Sequence, residues 1–168
     1  PFIQTFKFLQ YDLLICIYHE SKTSDEMLKG IILLEQYLGP DIFNIEVEVL
    51  LTDRGSEFVS ASEAEYREDG SRRTRVYYCD SMCSWQKGSL ENVHLLLREI
   101  CPNKTDLYAL GLTSQEKANI ISSHINSYPK KKLKGKSSFQ LLEFINPDMA
   151  DRLHQAGLFI VQSDKVTL

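Results

Sequence analysis

The chain has 168 residues, of which 43% are hydrophobic and 25% are charged, and its formal net charge is −4. This length can bury a substantial core in one domain, and the composition excludes an intrinsically disordered chain. No apolar run reaches the roughly 18–20 residues that a membrane-spanning helix needs. We therefore expect a globular cytoplasmic protein without a membrane partner.

The charges are unevenly distributed along the chain. Residues 1–70 carry 5 Lys/Arg against 14 Asp/Glu, whereas residues 71–136 carry 12 against 5. A basic segment inside an acidic chain favours a polyanionic partner. A solvated lysine-rich loop explains the same pattern, and the charge count alone does not separate the two interpretations.

Two runs rich in β-forming residues open the chain, at residues 2–8 and 13–19. About four residues join them, and this spacing predicts a β-hairpin. The second run is apolar at almost every position, which is typical of a central strand covered on both faces.

A helix and a strand are predicted next. Residues 22–40 predict a helix, because Thr23 and Glu26 have the spacing of a capping box and apolar residues recur at helical intervals. Residues 45–52 form an apolar run that predicts a strand, and this strand ends at Asp53.

The middle of the chain alternates short elements with polar loops. Residues 60–68 predict a short polar helix, and residues 69–75 predict a flexible loop. A strand is expected over 76–79. A second amphipathic helix is expected over 89–100, since the proline at position 102 forbids its continuation.

The last third predicts three helices. The first covers 113–128, with Thr113 as its cap, and the basic loop 129–136 follows it. Residues 137–145 predict the second, and Asn146 caps the third. The complete order predicts a mixed α/β fold, with an antiparallel hairpin beside parallel crossover strands.

One face of the helix predicted over 89–100 is unusually polar. Glu91, His94 and Arg98 lie on this face at helical spacing. An acid in the first turn and a base in the last turn also suit the helix dipole. From the helix alone, structural roles therefore explain these residues.

The spacing of two acids changes that interpretation. Asp53 at a strand end, followed after 37 residues by the helical Glu91, resembles the DDE transposase and retroviral-integrase superfamily. Three longer blocks resemble one bacterial family within it, the insertion-sequence-thirty transposases. They are "LLTDRGSEF" (50–58), "YYCDSMCSWQKGSLENVHLLLREICPNKTDL" (77–107) and "INSYPKKKLKGKSSFQLL" (125–142). The chain departs from the family pattern at Arg54, where Asn is usual, and at Ser138, where Pro is usual.

The resemblance implies a ribonuclease-H-like fold, in which a mixed sheet is flanked by helices. Residues 1–145 would form the catalytic core, and residues 146–168 a C-terminal helix and tail. In this family three carboxylates hold two Mg²⁺ (or Mn²⁺) ions. The resemblance implies that Asp53 bridges the two ions and that Glu91 holds one of them.

The resemblance also places the first catalytic acid on a strand before the hairpin. We expect that first strand to be missing from a chain that begins at Pro1. Asp12 is not a substitute for its acid, because it falls in the predicted hairpin turn. Whether this chain is itself an enzyme therefore stays open.

DNA is the partner that the resemblance implies, both as transposon ends and as target. The resemblance also implies that the protein forms a homo-oligomer and associates with the nucleoid. Trp85 is a candidate for stacking on a base, and Asn92 and His94 for supporting Glu91 by hydrogen bonds. The candidate phosphate contacts are Lys87, Arg98, Lys130, Lys131 and Lys136.

Two other functions remain open at this stage. One is a truncated transposase fragment that binds DNA or a partner subunit without catalysis. The other is a non-enzymatic ribonuclease-H-like module that serves DNA binding or assembly.

Overall fold

The computed structural model describes residues 1–52, 61–79, 95, 97–98, 101–102, 106–162 and 164–166. The described residues form a mixed α/β structure, as predicted. The chain divides into two compact units, one of residues 1–20 and 89–168 and the other of residues 21–88. No helix in the described part of the chain is both long and apolar enough to span a membrane.

The predicted hairpin is confirmed in the first unit. Strand β1 (Phe2–Phe8) pairs antiparallel with β2 (Leu13–His19), and the register sets Phe8 opposite Leu13. Every residue of β2 except Tyr18 is buried. The turn between the strands ends at Asp12, whose φ of 53° is left-handed, a conformation that Asp tolerates better than most residues.

Helix α4 (Gln115–Ser127) lies along the edge of β2 that faces away from β1. Alternate residues of a strand direct their backbone groups to opposite edges. On this edge the Asn126 side chain accepts from Leu14 N at 2.9 Å and donates to Leu14 O at 2.6 Å. Ser122 Oγ accepts from Cys16 N at 2.9 Å. The helix therefore satisfies a strand edge with side chains.

The start of α4 differs from the prediction by one residue. Ser114, not Thr113, is the N-cap, because its extended backbone lets the hydroxyl accept from the N–H of Lys117. The helix has an apolar row as well: Ala118 and Ile125 pack with the buried β2 residues Leu14 and Cys16.

The two predicted C-terminal helices are confirmed. Helix α5 (Ser138–Ile145) begins with a full capping box formed by Ser137 and Gln140. Helix α6 (Pro147–Gln155) has Asn146 as its N-cap and proline at its first position. The predicted domain division after residue 145 stays a prediction.

The second unit contains helices α1 (Ser24–Leu38), α2 (Pro40–Glu46) and α3 (Ala61–Glu65). Strands β3 (Val49–Thr52) and β4 (Arg75–Tyr78) pair in parallel. Three predictions are confirmed within a few residues: the Thr23-capped helix, the short polar helix and the strand over 76–79.

The strand predicted over 45–52 is wrong in its first half. Pro40 occupies the first position of α2, which suits proline because that N–H needs no helical partner. Gly39, at a φ of 77°, ends α1 and lets the chain turn directly into α2. The apolar Ile45 is therefore helical and 77% exposed.

The loop predicted as flexible over 69–75 is anchored instead. Arg73 donates to the buried Glu35 on α1 at 2.8 Å, and it also bonds the carbonyls of Glu63 and Ala64. Arg67, just before the loop, donates to the other Glu35 oxygen at 2.6 Å. The carboxylate of Glu35 therefore binds one arginine just before the loop and one within it.

Replacing Asn126 with Ala tests how far the strand edge depends on α4. The change leaves the N–H and carbonyl of Leu14 buried and unpaired, so we expect a loss of about 2–4 kcal/mol in the free energy of unfolding. Urea denaturation followed by circular dichroism measures it. Gln155→Ala, at the exposed end of α6, is the control and should change stability by less than about 0.5 kcal/mol. Equal stability of the two variants would contradict the assignment.

Candidate nucleic-acid interface

Six of the predicted site residues lie outside the described residues: Asp53, Trp85, Lys87, Glu91, Asn92 and His94. Strand β3 is described as far as Thr52, the residue before Asp53 in the sequence. Within the described ranges, no three His, Cys, Asp or Glu residues come close enough to hold a metal ion. The four remaining predicted residues, Arg98, Lys130, Lys131 and Lys136, are described.

The basic loop 129–136 is a closed and internally bonded turn. Lys130 N donates to Lys136 O at 3.0 Å, and a single 3₁₀ turn covers Lys131–Leu133 between them. The left-handed Lys134 and Gly135 then reverse the chain. This geometry exposes the lysines at 131, 132, 134 and 136 together on one short loop.

Lys130 is the exception in this loop, because its side chain turns inward and is only 7% exposed. Its Nζ donates to Asp12 O at 2.7 Å and to Ser138 Oγ at 2.6 Å, and it lies 3.1 Å from the Asp12 carboxylate. The predicted phosphate contact needs an ammonium that reaches solvent. The structure therefore favours an internal role for Lys130, which ties the loop to the hairpin turn.

Asp12 is a charged centre that sequence reasoning missed. Its carboxylate pairs with Lys7 at 2.5 Å, with Lys130 at 3.1 Å and with Lys132 at 3.3 Å. Burial alone would raise the pKa of Asp12, but the hydrogen bond from Lys7 and the charge of Lys130 outweigh it and hold the pKa at about 2. Nothing local in the sequence marks this cluster, because its members lie up to 125 residues apart.

Arg98 is exposed and helical, as predicted. Its neighbour Leu97 packs against the buried cluster that includes Leu14 and Cys16. Leu97 therefore faces the core, and the adjacent Arg98 remains open to solvent.

The basic segment has two parts, which differ in the contacts that their charged side chains make. The arginines near its beginning are occupied inside the second unit: Arg73 pairs with Glu35, Arg75 with Glu48 at 3.1 Å, and Arg72 stacks on the Tyr66 ring. The lysines near its end are mostly exposed. The charge count over 71–136 therefore overstates the basic surface, because Arg73 and Lys130 are buried. The exposed lysines of the loop 129–136, together with Arg98, belong to the part that a polyanion can reach.

Comparison with curated proteins places the chain among relatives of transposases. Over 106 residues it is 34% identical to the transposase of insertion sequence element IS1086 from Cupriavidus metallidurans. Over 94 residues it is 33% identical to the transposase InsI of IS30A from Escherichia coli K12. The predicted resemblance to the insertion-sequence-thirty transposases is thereby confirmed.

The matched regions cover 63% and 56% of this chain but only 29% and 23% of the two relatives. The chain thus spans less than a third of the length of the curated relatives it matches. No protein-family model matches the chain. No solved structure matches it.

Replacing Asp12 with Asn tests the charge cluster without straining the backbone, since Asn also tolerates the left-handed conformation. The variant leaves two buried ammonium groups without their counter-ion, so we expect a loss of about 2–4 kcal/mol in the free energy of unfolding at pH 7. Urea denaturation measures the loss. Asp151→Asn, on the exposed face of α6, is the control and should leave stability nearly unchanged.

The pH dependence of this loss checks its electrostatic origin. The pKa of Asp12 falls from an ordinary 3.8 to about 2 in the fold. The stabilisation is therefore complete above about pH 4 and disappears as the pH falls through about 2. The stability difference between wild type and Asp12→Asn should narrow over this interval. A difference that stays constant would contradict the ion-pair explanation.

Proposed function

We propose that this chain is part of the catalytic core of a transposase and acts in DNA transposition. One observation carries the proposal: the chain shares 34% identity over 106 residues with a protein named as a transposase. A second transposase, of a different bacterium, matches at 33%. The proposed partner is DNA, as transposon ends and as target.

The proposed chemistry is DDE-type phosphoryl transfer by Asp53, Glu91 and a third carboxylate. Asp53 directly follows β3, which pairs in parallel with β4, and the carboxyl ends of parallel strands are a common position for functional residues. The donors are hard carboxylate oxygens, the ligands that magnesium prefers. Two bound Mg²⁺ (or Mn²⁺) ions would activate the attacking oxygen and stabilise the leaving one.

We extend the proposal to a ribonuclease-H-like fold. The described residues contain an antiparallel hairpin in one unit, a parallel strand pair in the other, and helices in both, and a ribonuclease-H-like fold is built from such elements. In the proposed arrangement Asn92 and His94 orient Glu91 by hydrogen bonding. Trp85 and Lys87 contact the nucleic acid just before the catalytic helix.

The exposed basic residues supply the proposed contacts to the DNA backbone. Lys131 and Lys136 are exposed on the loop 129–136, and Arg98 is exposed on its helix. Lysine and arginine bind phosphate with little regard to base sequence. Their proposed role is therefore to hold the DNA in position, while the two acids carry the chemistry.

Divalent-metal binding tests the proposed acids independently of strand transfer. Asp53→Asn and Glu91→Gln should each weaken Mn²⁺ binding about tenfold or more, since even the partners that orient a metal ligand have effects of this size. Electron paramagnetic resonance of free Mn²⁺ during a titration measures the affinity. The matched control is Glu116→Gln, which neutralises an exposed acid in the first turn of α4 and should bind Mn²⁺ as wild type does.

The same titration separates the catalytic proposal from the non-enzymatic alternatives. If both variants bind Mn²⁺ as tightly as wild type and the Glu116→Gln control, the proposed metal role of Asp53 and Glu91 is wrong. The chain would then fit better as a DNA-binding or assembly module related to transposases.

A further inference from the structure

We propose that the outer face of α5 is the surface through which two copies of this chain form a dimer. The face consists of Leu141, Phe144 and Ile145, which are spaced three and four residues apart and therefore share one side of the helix. The resemblance implies a homo-oligomer, and this face gives it a location. The dimer needs neither DNA nor the two proposed metal ligands, so it can fail while the proposed function holds.

Helix α5 is apolar on two sides, unlike its neighbour α6. The inward side of α5 buries Phe139 and Leu142 completely, yet the outward side leaves Phe144 87% exposed and Ile145 44% exposed. Every Met, Ala and Leu residue of α6 is buried, and the rest of that helix is polar apart from its initial proline. A helix that is apolar all round is normally covered all round. The outward side of α5 therefore lacks the cover that its composition requires.

Phe144 has the exposure and the chemistry of an interface anchor. It is the most exposed of the large apolar side chains that the structure describes. An aromatic side chain buries about 150–250 Å² when it is covered, and aromatic residues are enriched at the centres of interfaces. Three side chains still provide less than the roughly 800 Å² per partner of a standard stable interface. The surroundings of the face must therefore contribute, and we expect a dimer that dissociates on dilution.

The charges at the two ends of α5 indicate a second copy as the partner. Before the helix, the loop 129–136 exposes four lysines and contains no acid. At the other end Glu143, Asp148 and Asp151 are exposed, and they outnumber the partly buried Arg152. A partner of uniform charge would be repelled at one of these ends. A second copy in antiparallel orientation places each basic end near an acidic end, and such complementarity favours the correct partner.

A two-fold axis through the centre of the face produces this antiparallel arrangement, because both copies then use the same residues. Helix α5 has eight residues and is about 12 Å long. The basic loop of each copy would therefore lie near the turn between α5 and α6 of the other, close to Asp148. Parallel helices would instead bring the two basic loops together, where like charges repel.

Dilution of paired variants tests the surface. Phe144→Ser removes the central side chain, whereas Ile45→Ser removes an apolar side chain that is 77% exposed on α2, in the other unit. Sedimentation velocity of the full chain over a range of concentrations measures the dimer dissociation constant, and circular dichroism confirms the fold. Phe144→Ser should weaken the dimer about tenfold or more, and Ile45→Ser should stay within about twofold of wild type.

Two results of this dilution series would overturn the proposal. One is a wild-type chain that stays monomeric up to about 1 mM, the range of the weakest specific complexes. The other is an equal weakening by the two substitutions. In either case the face belongs to a different partner or remains open to solvent, and the second copy is not its occupant.

Charge reversal tests the antiparallel orientation. Asp148→Lys makes both ends of α5 basic and should weaken the dimer about three- to fivefold, the range of exposed ion pairs. The matched control is Asp41→Lys, because Asp41 also follows a proline at the first position of a helix. This control should dimerise as wild type does, and equal effects of the two reversals would contradict the orientation.

Mixing complementary variants completes the test. The double change Lys134→Glu and Lys136→Glu makes the end before α5 acidic, so that this variant is acidic at both ends. Mixed with Asp148→Lys, it should form a heterodimer that is tighter than the homodimer of either variant. Sedimentation of the mixture and of each variant alone measures the difference. A mixture that associates no better than its components would overturn the antiparallel dimer.

Discussion

The first unit depends on the hydrogen bonds by which α4 closes the open edge of β2. A strand edge exposes backbone groups that must find partners, and most proteins supply another strand or water. Here Asn126 and Ser122 reach the backbone of Leu14 and Cys16, and Gln115 bonds Tyr18 N at 2.8 Å and Cys16 O at 3.0 Å. Each of these polar side chains bonds particular backbone N–H or C=O groups of β2. The bonds therefore fix the position of the helix along the strand as well as holding the two elements together.

Helix α4 also binds the C-terminal segment of the chain. Asn119 donates to Ala156 O at 3.1 Å, Ser123 Oγ accepts from Phe159 N at 3.0 Å, and Ser127 Oγ accepts from Val161 N at 2.9 Å. Residues 119, 123 and 127 are spaced four apart and therefore form one row along the helix. Two polar rows thus join α4 to the hairpin on one side and to the C-terminal segment on the other, with Ala118 and Ile125 forming its apolar contact.

This arrangement explains which elements the sequence predicts well. The hairpin, α5 and α6 are marked by local signals: β-rich runs at hairpin spacing, a Ser137–Gln140 capping box, and Asn146 before a proline. The partners of the α4 polar rows lie more than 30 residues away, and polar residues in a helix normally suggest a solvent face. Sequence patterns therefore located α4 but could not show which parts of the chain its polar side chains bind.

Long-range charge pairing limits the prediction of the site in the same way. The basic segment contains the exposed Arg98, Lys131 and Lys136, but composition could not separate a buried cation from an exposed one. Arg73 is buried and forms an ion pair with Glu35. Lys130 is likewise buried and forms an ion pair with Asp12. A charge count weighs all these residues equally, although only the exposed ones remain available to a polyanion.

The block 125–142 gains a physical explanation from these contacts. In the sequence this block resembles a motif of the insertion-sequence-thirty transposases, and it is rich in lysine. In the structure Asn126 bonds β2, Lys130 bonds the hairpin turn, and Ser137 caps α5. These fixed points alternate with the exposed Lys131, Lys132, Lys134 and Lys136. The block therefore combines a scaffold with the basic surface that it supports, and a flexible basic tail would lack this fixed spacing of charges.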